Sequence, residues 1–279
     1  ELRGETIDPD RIGDITRHFQ TVQYDAAASD SKAHVARVAG DETFAQWFRA
    51  NVKDHREDGY HVVYLSMKAP GEAPGDATTH QLAAMADLMD RYNQGLGAIS
   101  YNQNVLFQHV KSEDLGPLFD ELVSLGLATP NIDSISDQIC CPGLDFCNLA
   151  NAQSIPLAQE LSKRFGDVEL VEDVGKLHLN MSGCVNACGH HHTGHIGLLG
   201  VDKRGEQHYQ IAIGGHAGTD SSLPPSVASV IGQAVRPDEA VDVVQRLLEI
   251  YLKEREEGEI FLQTVRRLGA DRFKEAIRE

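Results

Sequence analysis

The sequence predicts an α+β protein in two parts. A strand–helix–strand–helix half-unit runs over about 70 residues and is followed by an α/β region. Three observations point to this. Between residues 60 and 126 the apolar pattern alternates between a strand-like run and helical spacing. All five cysteines lie between Cys140 and Cys188. The final 40 or so residues carry helix-start and helix-repeat signals with no strand signal among them.

Residues 1–56 are polar, with short helical patterns at Ile12–Phe19 and Phe44–Val52, and read as a lead-in and linker. Tyr60–Met67 (YHVVYLSM) is rich in β-branched and aromatic residues and predicts a strand. Lys68–Asp76 holds two Pro and two Gly and predicts a loop. Thr78 or Thr79 can cap a helix whose apolar face is Leu82, Met85, Ala86 and Met89. Gly95 and Gly97 end it, and Ala98–Val110 reads as one strand with Asn102-Gln103-Asn104 inside it. Leu115, Leu118, Phe119 and Leu122 mark a second helix, stopped by Gly126. The half-unit is therefore placed at 57–132, and such a unit needs a further sheet or sibling to close its core.

The second region, 133–279, opens with the cysteines. It has a helix near Pro156–Phe165, a strand at Lys176–Met181 leading into Cys184, and strands at His195–Leu199 and His208–Ile213. Helices are expected at Pro237–Lys253, Glu259–Leu268 and Asp271–Ile277, the first with Pro in its opening turn. There is no internal repeat.

Composition narrows the function. The 279 residues, 41% hydrophobic, can bury a sizeable core. A net charge of −17 makes nucleic acid and anionic membrane poor partners. No run of 18 apolar residues predicts a membrane span. Glu1-Leu-Arg-Gly-Glu has no apolar leader pattern, and without an initial Met the chain is expected to be trimmed or partial. An odd cysteine count argues against a disulfide framework and for a reducing, cytoplasmic setting. No dinucleotide fingerprint, Walker A loop or nucleophile elbow is present.

The cysteines form C-x5-C (Cys141, Cys147), then 36 residues, then C-x3-C (Cys184, Cys188). A residue spacing of four is one helical turn, so Cys184 and Cys188 can face one way. Gly183 and Gly189 beside them let backbone come close to a bulky group. The x5 interval is wide for a zinc knuckle and suits a cubane better, but zinc and plain redox thiols also remain open on spacing alone. Cys140 is the spare, since adjacent side chains diverge. The run His190, His191, His192 and His195 could ligate a metal. Four thiolates already complete a set, so one or two imidazoles are expected to line a cofactor pocket or hydrogen-bond a carboxylate and the rest to be exposed or satisfied in the core, with His190 the candidate cofactor contact.

The blocks CCPGLDFCNLA (140–150) and NMSGCVNACGHHHTGHIGLLG (180–200) resemble the siroheme and [4Fe–4S] signature of the sulfite and nitrite reductase family. Within it, the likeness is to the C-terminal half of the hemoprotein (beta) component of assimilatory sulfite reductase. Segments 75–95, 101–110, 126–132, 209–215 and 254–269 fit as well, so the resemblance covers about residues 45–279. It implies a ferredoxin-like half-unit followed by a siroheme/[4Fe–4S]-binding domain. It implies that Cys141, Cys147, Cys184 and Cys188 ligate the cluster, that Cys188 also bridges to the siroheme iron, and that Gln103, Asn104 and Asn186 lie near the siroheme. The implied reaction is six-electron reduction of sulfite to sulfide, or of nitrite to ammonia, with electrons from a flavoprotein or a ferredoxin. An acidic chain favours the flavoprotein, because ferredoxins are themselves acidic. Family members are about twice as long, and their anion-gripping basic residues lie in the first half. Ala98 stands where many members place Arg. The catalytic residues are thus expected on an N-terminal half of the same protein, the chain being a fragment or one half of a complex. A non-catalytic iron–sulfur electron-transfer module and a zinc-stabilised binding domain are the rival readings.

Overall fold

The structure is a computed structural model that describes residues 8–17, 22–24, 34–219 and 222–275. Helices α1 (Pro9–Arg17), α2 (Val35–Gly40) and α3 (Glu42–Asn51) precede strands β1 (Val52–Asp54) and β2 (Tyr60–Leu65). Helix α4 (Thr79–Tyr92), strands β3 (Ala98–Ile99) and β4 (Val105–Lys111) and helix α5 (Leu115–Leu125) complete the first unit. Its sheet is antiparallel, ordered β1-β2-β4-β3.

Alternation explains which face is covered. Val63 and Leu65 of β2 and Phe107 and Val110 of β4 are fully buried, and pack with Met85 and Leu88 of α4 and Leu115, Leu118, Phe119 and Leu122 of α5. Thr78 caps α4 in a reciprocal capping box with Gln81. Gly126, with φ 70°, ends α5 in the left-handed conformation that glycine adopts without a Cβ penalty.

Three expectations change. Part of the stretch read as lead-in belongs to this unit: Phe44 and Trp47 of α3 are fully buried in its core and β1 is an edge strand of its sheet. Phe44 and Trp47, at i and i+3, seat the helix, with Ala45 buried beside them and Phe48 packed against the same core. The apolar face of α4 is Met85 and Leu88 with Met89 behind them, whereas Leu82 and Ala86 are exposed. Ala98–Val110 is two strands, because the chain reverses at Asn102-Gln103-Asn104. Gln103 adopts φ 63°, and Ser100 Oγ accepts from Asn104 N at 3.0 Å.

The second unit is a five-stranded sheet, β5 (Ile139–Cys140), β6 (Leu179–Ser182), β7 (Ile196–Lys203), β8 (Glu206–Ile213) and β9 (Ser229–Val230), in that order. Strands β5, β6 and β7 run parallel, and β7, β8 and β9 antiparallel. Its core joins Leu179, Met181, Ile196, Leu198, Tyr209, Ile211 and Ile213 to α6 (Ile155–Phe165), α8 (Pro237–Glu254) and α9 (Phe261–Leu268). Short helices α7 (Val168–Val174), capped by Asp167, and α10 (Ala270–Phe273) complete it. Helix α7 was not predicted. The expected helical tails at 18–19 and 276–277 lie outside the described residues.

His61 on β2 has its pKa lowered to about 4, first by burial and then by the neighbouring His34. Its folded value lies below the unfolded value near 6.5, so the unfolded chain binds more protons between these pH values. The contribution of neutral His61 is complete above pH 6.5 and is lost as pH falls toward 4. Urea midpoints measured at pH 7.5 and pH 4.5 are expected to fall on acidification, and His61→Gln is expected to flatten that dependence. An unchanged slope in the variant would refute the assignment.

Candidate functional site

Cys141 directly follows β5. Its N–H donates to Met181 O at 3.1 Å, and its Sγ accepts from Gly183 N at 3.0 Å. Cys147 closes the first loop, its N–H donating to Gly143 O at 2.8 Å. Asp145 inside that loop ties it to the start of α6, accepting from Gln153 Nε2, Ser154 N and Ile155 N at 3.0–3.2 Å. Cys184 follows β6 and is buried, whereas Cys188 is exposed. All five cysteines are free thiols.

The second loop is not the helical turn that its spacing suggested. Ala187 and His190 have φ of 57° and 53°, which breaks a right-handed helix into two successive turns. The neighbouring glycines also act differently from the expectation. A Cβ on Gly183 would lie 2.7 Å from both Gly143 Cα and Ala152 O. A Cβ on Gly189 would overlap the Met181 carbonyl. Gly183 lets the two cysteine loops pack backbone on backbone and Gly189 folds the second loop against β6, so the sequence-distant pairs share one end of the sheet.

Among the described residues no three His, Cys, Asp or Glu side chains converge on a point where a single metal ion could sit. The four sulfurs are carried by two abutting loops, an arrangement suited to a larger group with several attachment points. Phe146, Leu149 and Val185 beside them are 82%, 74% and 74% exposed.

Next to the loops lies a cavity of about 390 Å³ lined by residues that include Tyr101, Asn102, Asp137, His178, Asn180 and His190. Asn180 donates through Nδ2 to His190 O at 3.1 Å, while its buried Oδ1 has no partner. An orphaned buried acceptor on a cavity wall is the mark of a missing donor.

The predicted residues separate into two groups. Asn186, Cys188 and His190 are exposed on the second loop. Gln103 and Asn104 have their carboxamides committed to protein. Gln103 Nε2 donates to Cys140 O at 2.8 Å, and its Oε1 accepts from Cys140 N at 2.9 Å. Asn104 Oδ1 accepts from Met67 N at 3.1 Å, and its Nδ2 donates to Asp137 Oδ1 at 2.9 Å.

Sequence reasoning missed the hub of this network. Lys68 Nζ lies 2.6 Å from Asp137 Oδ1, and their side chains are 1% and 2% exposed. The same ammonium donates to Asn102 O. Asp137 Oδ2 further accepts from Asn102 Nδ2 at 3.2 Å and Asp133 N at 3.0 Å. A lysine directly after a strand and an aspartate three residues before a cysteine are the only sequence signals for it. Among the described residues Lys68 carries the one fully buried ammonium, and Asp137 neutralises it.

The histidine run does not converge on a metal position. His191 and His192 meet edge to face, whereas His195 is fully buried in a stack with His178 at 4.7 Å and His216 at 5.9 Å. Burial first, and then its neighbours His178 and His216, push the His195 pKa down to about 2, so it is neutral in the native protein. Its Nδ1 accepts from His178 N at 3.2 Å. His178 in turn reaches Asp133 Oδ1 at 3.3 Å, which holds that carboxyl below the usual range.

Residues 132–279 match the family model described as the nitrite and sulphite reductase 4Fe-4S domain. Residues 54–125 match the nitrite/sulfite reductase ferredoxin-like half domain. The chain is 31% identical over 226 residues to an assimilatory ferredoxin-dependent nitrite reductase of Haloferax mediterranei, an alignment covering 79% of this chain and 37% of that protein. It is 30% identical over 216 residues to a sulfite reductase [ferredoxin] of Mycobacterium tuberculosis, covering 74% of this chain and 38% of that one. Among solved structures, the Mycobacterium tuberculosis NirA protein superposes with a TM-score of 0.64 at 26% identity, covering 81% of this chain and 41% of its own. Dissimilatory sulfite reductase I superposes with a TM-score of 0.64 at 13% identity, a likeness of fold, and covers 92% of this chain and 88% of its own. The chain thus spans under two fifths of the length of these two curated relatives.

Proposed function

Because the chain belongs to the nitrite and sulfite reductase family, we propose that it is the siroheme- and [4Fe–4S]-binding half of a sulfite reductase. The reaction is six-electron reduction of sulfite to sulfide, in which each sulfite takes up six electrons and seven protons to give hydrosulfide and three waters. The observation that carries this reading is the backbone contact of Gly183 with Gly143, which places two cysteine loops against each other.

In this reading Cys141, Cys147, Cys184 and Cys188 would hold the cluster, and Cys188, exposed on the second loop, would be the one that also serves the siroheme. Bound together, the two cofactors would supply single electrons and the iron that binds the anion. The chain's own residues do the positioning. Gly183 N–H orients the Cys141 sulfur, Asp145 ties the first loop to α6, and Asn180 Oδ1 offers an acceptor to a donor in the cavity. Lys68 is paired with Asp137, so it offers no free charge to a dianion. That observation supports the reading in which a further half of the same protein supplies it. The names of the Haloferax and Mycobacterium relatives favour ferredoxin as donor over the flavoprotein that charge alone suggested. Among the described residues no helix is long and apolar enough to cross a membrane, and a reducing, cytoplasmic setting is the one that keeps cysteine sulfurs available to a cluster.

The test is a visible spectrum of the chain reconstituted with iron, sulfide and siroheme. A Soret band with a red band is expected, and Cys188→Ser is expected to abolish heme–cluster magnetic coupling. A cluster spectrum without a Soret band would instead establish an electron-transfer module, and a colourless, zinc-loaded protein would refute both. A second reading, nitrite to ammonia, is favoured by the Haloferax relative. Comparing kcat/KM for sulfite and nitrite in the complete enzyme decides between the two.

A further inference from the structure

We infer that Gln103 is a positioning residue for the first cluster ligand, Cys141, and not a cofactor contact. The inference rests on the assignment of Cys141 as a ligand.

Strand β5 is an edge of the five-stranded sheet. On one side its Cys140 pairs with Met181 of β6. An edge strand leaves a backbone N–H and C=O without ladder partners on the other side. Gln103 fills this gap with one side chain. Its carboxamide accepts from Cys140 N at 2.9 Å and donates to Cys140 O at 2.8 Å, the pair of bonds that a neighbouring strand residue would make. Both polar ends of the side chain are thereby committed, and neither is turned to a ligand.

The chain is arranged to hold the carboxamide there. Gln103 adopts φ 63°, a conformation that costs a non-glycine residue free energy and that surrounding structure must impose. The flanking Asn102 and Asn104 both donate to Asp137, three residues before Cys140, at 3.2 and 2.9 Å. Gly75, at φ +85°, lies over the side chain, and a Cβ there would stand 3.4 Å from Gln103 Cβ. Three consecutive side chains of the β3–β4 turn thus grip residues 137 and 140, and the next residue is Cys141. With Cys141 N–H bonded to Met181 O and its Sγ to Gly183 N, the ligand is set from both sides. The ferredoxin-like unit therefore fixes the edge from which the cluster loop departs.

The test uses the full chain with Gln103→Leu, which fills similar space without polar atoms, and Gln103→Glu, which keeps the acceptor and loses the donor. In the metal-free protein, hydrogen exchange of the Cys140 amide is expected to quicken about tenfold in Gln103→Leu and less in Gln103→Glu. After reconstitution, the Gln103→Leu cluster is expected to lose iron faster to a chelator and to show a shifted electron paramagnetic resonance spectrum when reduced, while far-ultraviolet circular dichroism is unchanged. If Gln103→Leu does not fold, the Gln103→Glu pair of measurements decides alone. Unchanged Cys140 exchange, or unchanged iron retention and spectrum in a folded variant, would overturn the inference. A wild-type chain that retains no iron, with Cys140 exchange still responding to Gln103, would overturn the ligand assignment and with it this role.

Discussion

Asp137→Ala is expected to lower the free energy of unfolding by about 3–5 kcal/mol, the range for breaking a fully buried ion pair from one side. The reason is what the substitution leaves behind. Lys68 Nζ would keep only the Asn102 carbonyl, and an uncompensated ammonium at 1% exposure has no route to water. Asn102, Asn104 and the Asp133 N–H would lose their acceptor as well. Asp137→Asn keeps the volume but not the charge and is expected to fall nearly as far. The double variant Lys68→Met, Asp137→Leu strands the same three donors but no ammonium, so it should lose less stability than Asp137→Ala. Trp47, the sole tryptophan, is fully buried in the first unit and reports the urea transition directly. A loss under about 1 kcal/mol for Asp137→Ala would mean that the pair is hydrated and not the hub described above.

Gly189→Ala is expected to cost about 3 kcal/mol, the upper part of the overpacking range, and to prevent stable iron loading. The added methyl would overlap the carbonyl of Met181, which is backbone and cannot swing aside. Met181 O also accepts the Cys141 N–H, so moving it disturbs the first loop as well as the second. Gly189 N–H itself donates to Ser182 Oγ at 3.1 Å, which fixes the glycine from its other side. Gly40→Ala is the matched control. Nothing lies within 4 Å of its Cβ position, and its effect should stay within about 0.5 kcal/mol. Retention of iron by Gly189→Ala at the wild-type level would show that the loops can separate without consequence.

The parts of the molecule legible in the sequence are those written in local periodicity. Helix α5 announced itself through Leu115, Leu118, Phe119 and Leu122 and a terminal Gly126, and all four apolar residues are in the core. Strands β2, β6, β7 and β8 were visible for the same reason. The cysteine spacing identified the end of the sheet where the loops meet. What was not legible depends on the third dimension. The turn at Asn102-Gln103-Asn104 reads as strand because the flanking runs are strand-like and the positive φ falls on Gln103, a residue type that does not signal it. Helix α3 is visible as the helical pattern at Phe44–Val52, but its place in the core is not, because Phe44, Trp47 and Phe48 find their partners only in distant elements. The Lys68–Asp137 pair joins residues 69 apart, and composition places both residue types on the surface by default. The family resemblance alone places Gln103 near the siroheme, and nothing in the sequence signals the bonds its carboxamide makes to the amide and carbonyl of Cys140.

The direction of those bonds along the chain also orders events in time. Every side chain that secures Cys140 and Asp137 from the first unit, Lys68, Asn102, Gln103 and Asn104, precedes them in sequence. During synthesis at about 5–20 residues per second, the 37 positions from Gln103 to Cys140 take roughly 2–7 s, long compared with the microseconds in which a hairpin closes. The residues of the β3–β4 turn are therefore made seconds before the cysteines, so the partners of residues 137 and 140 are already at hand when those residues emerge from the ribosome.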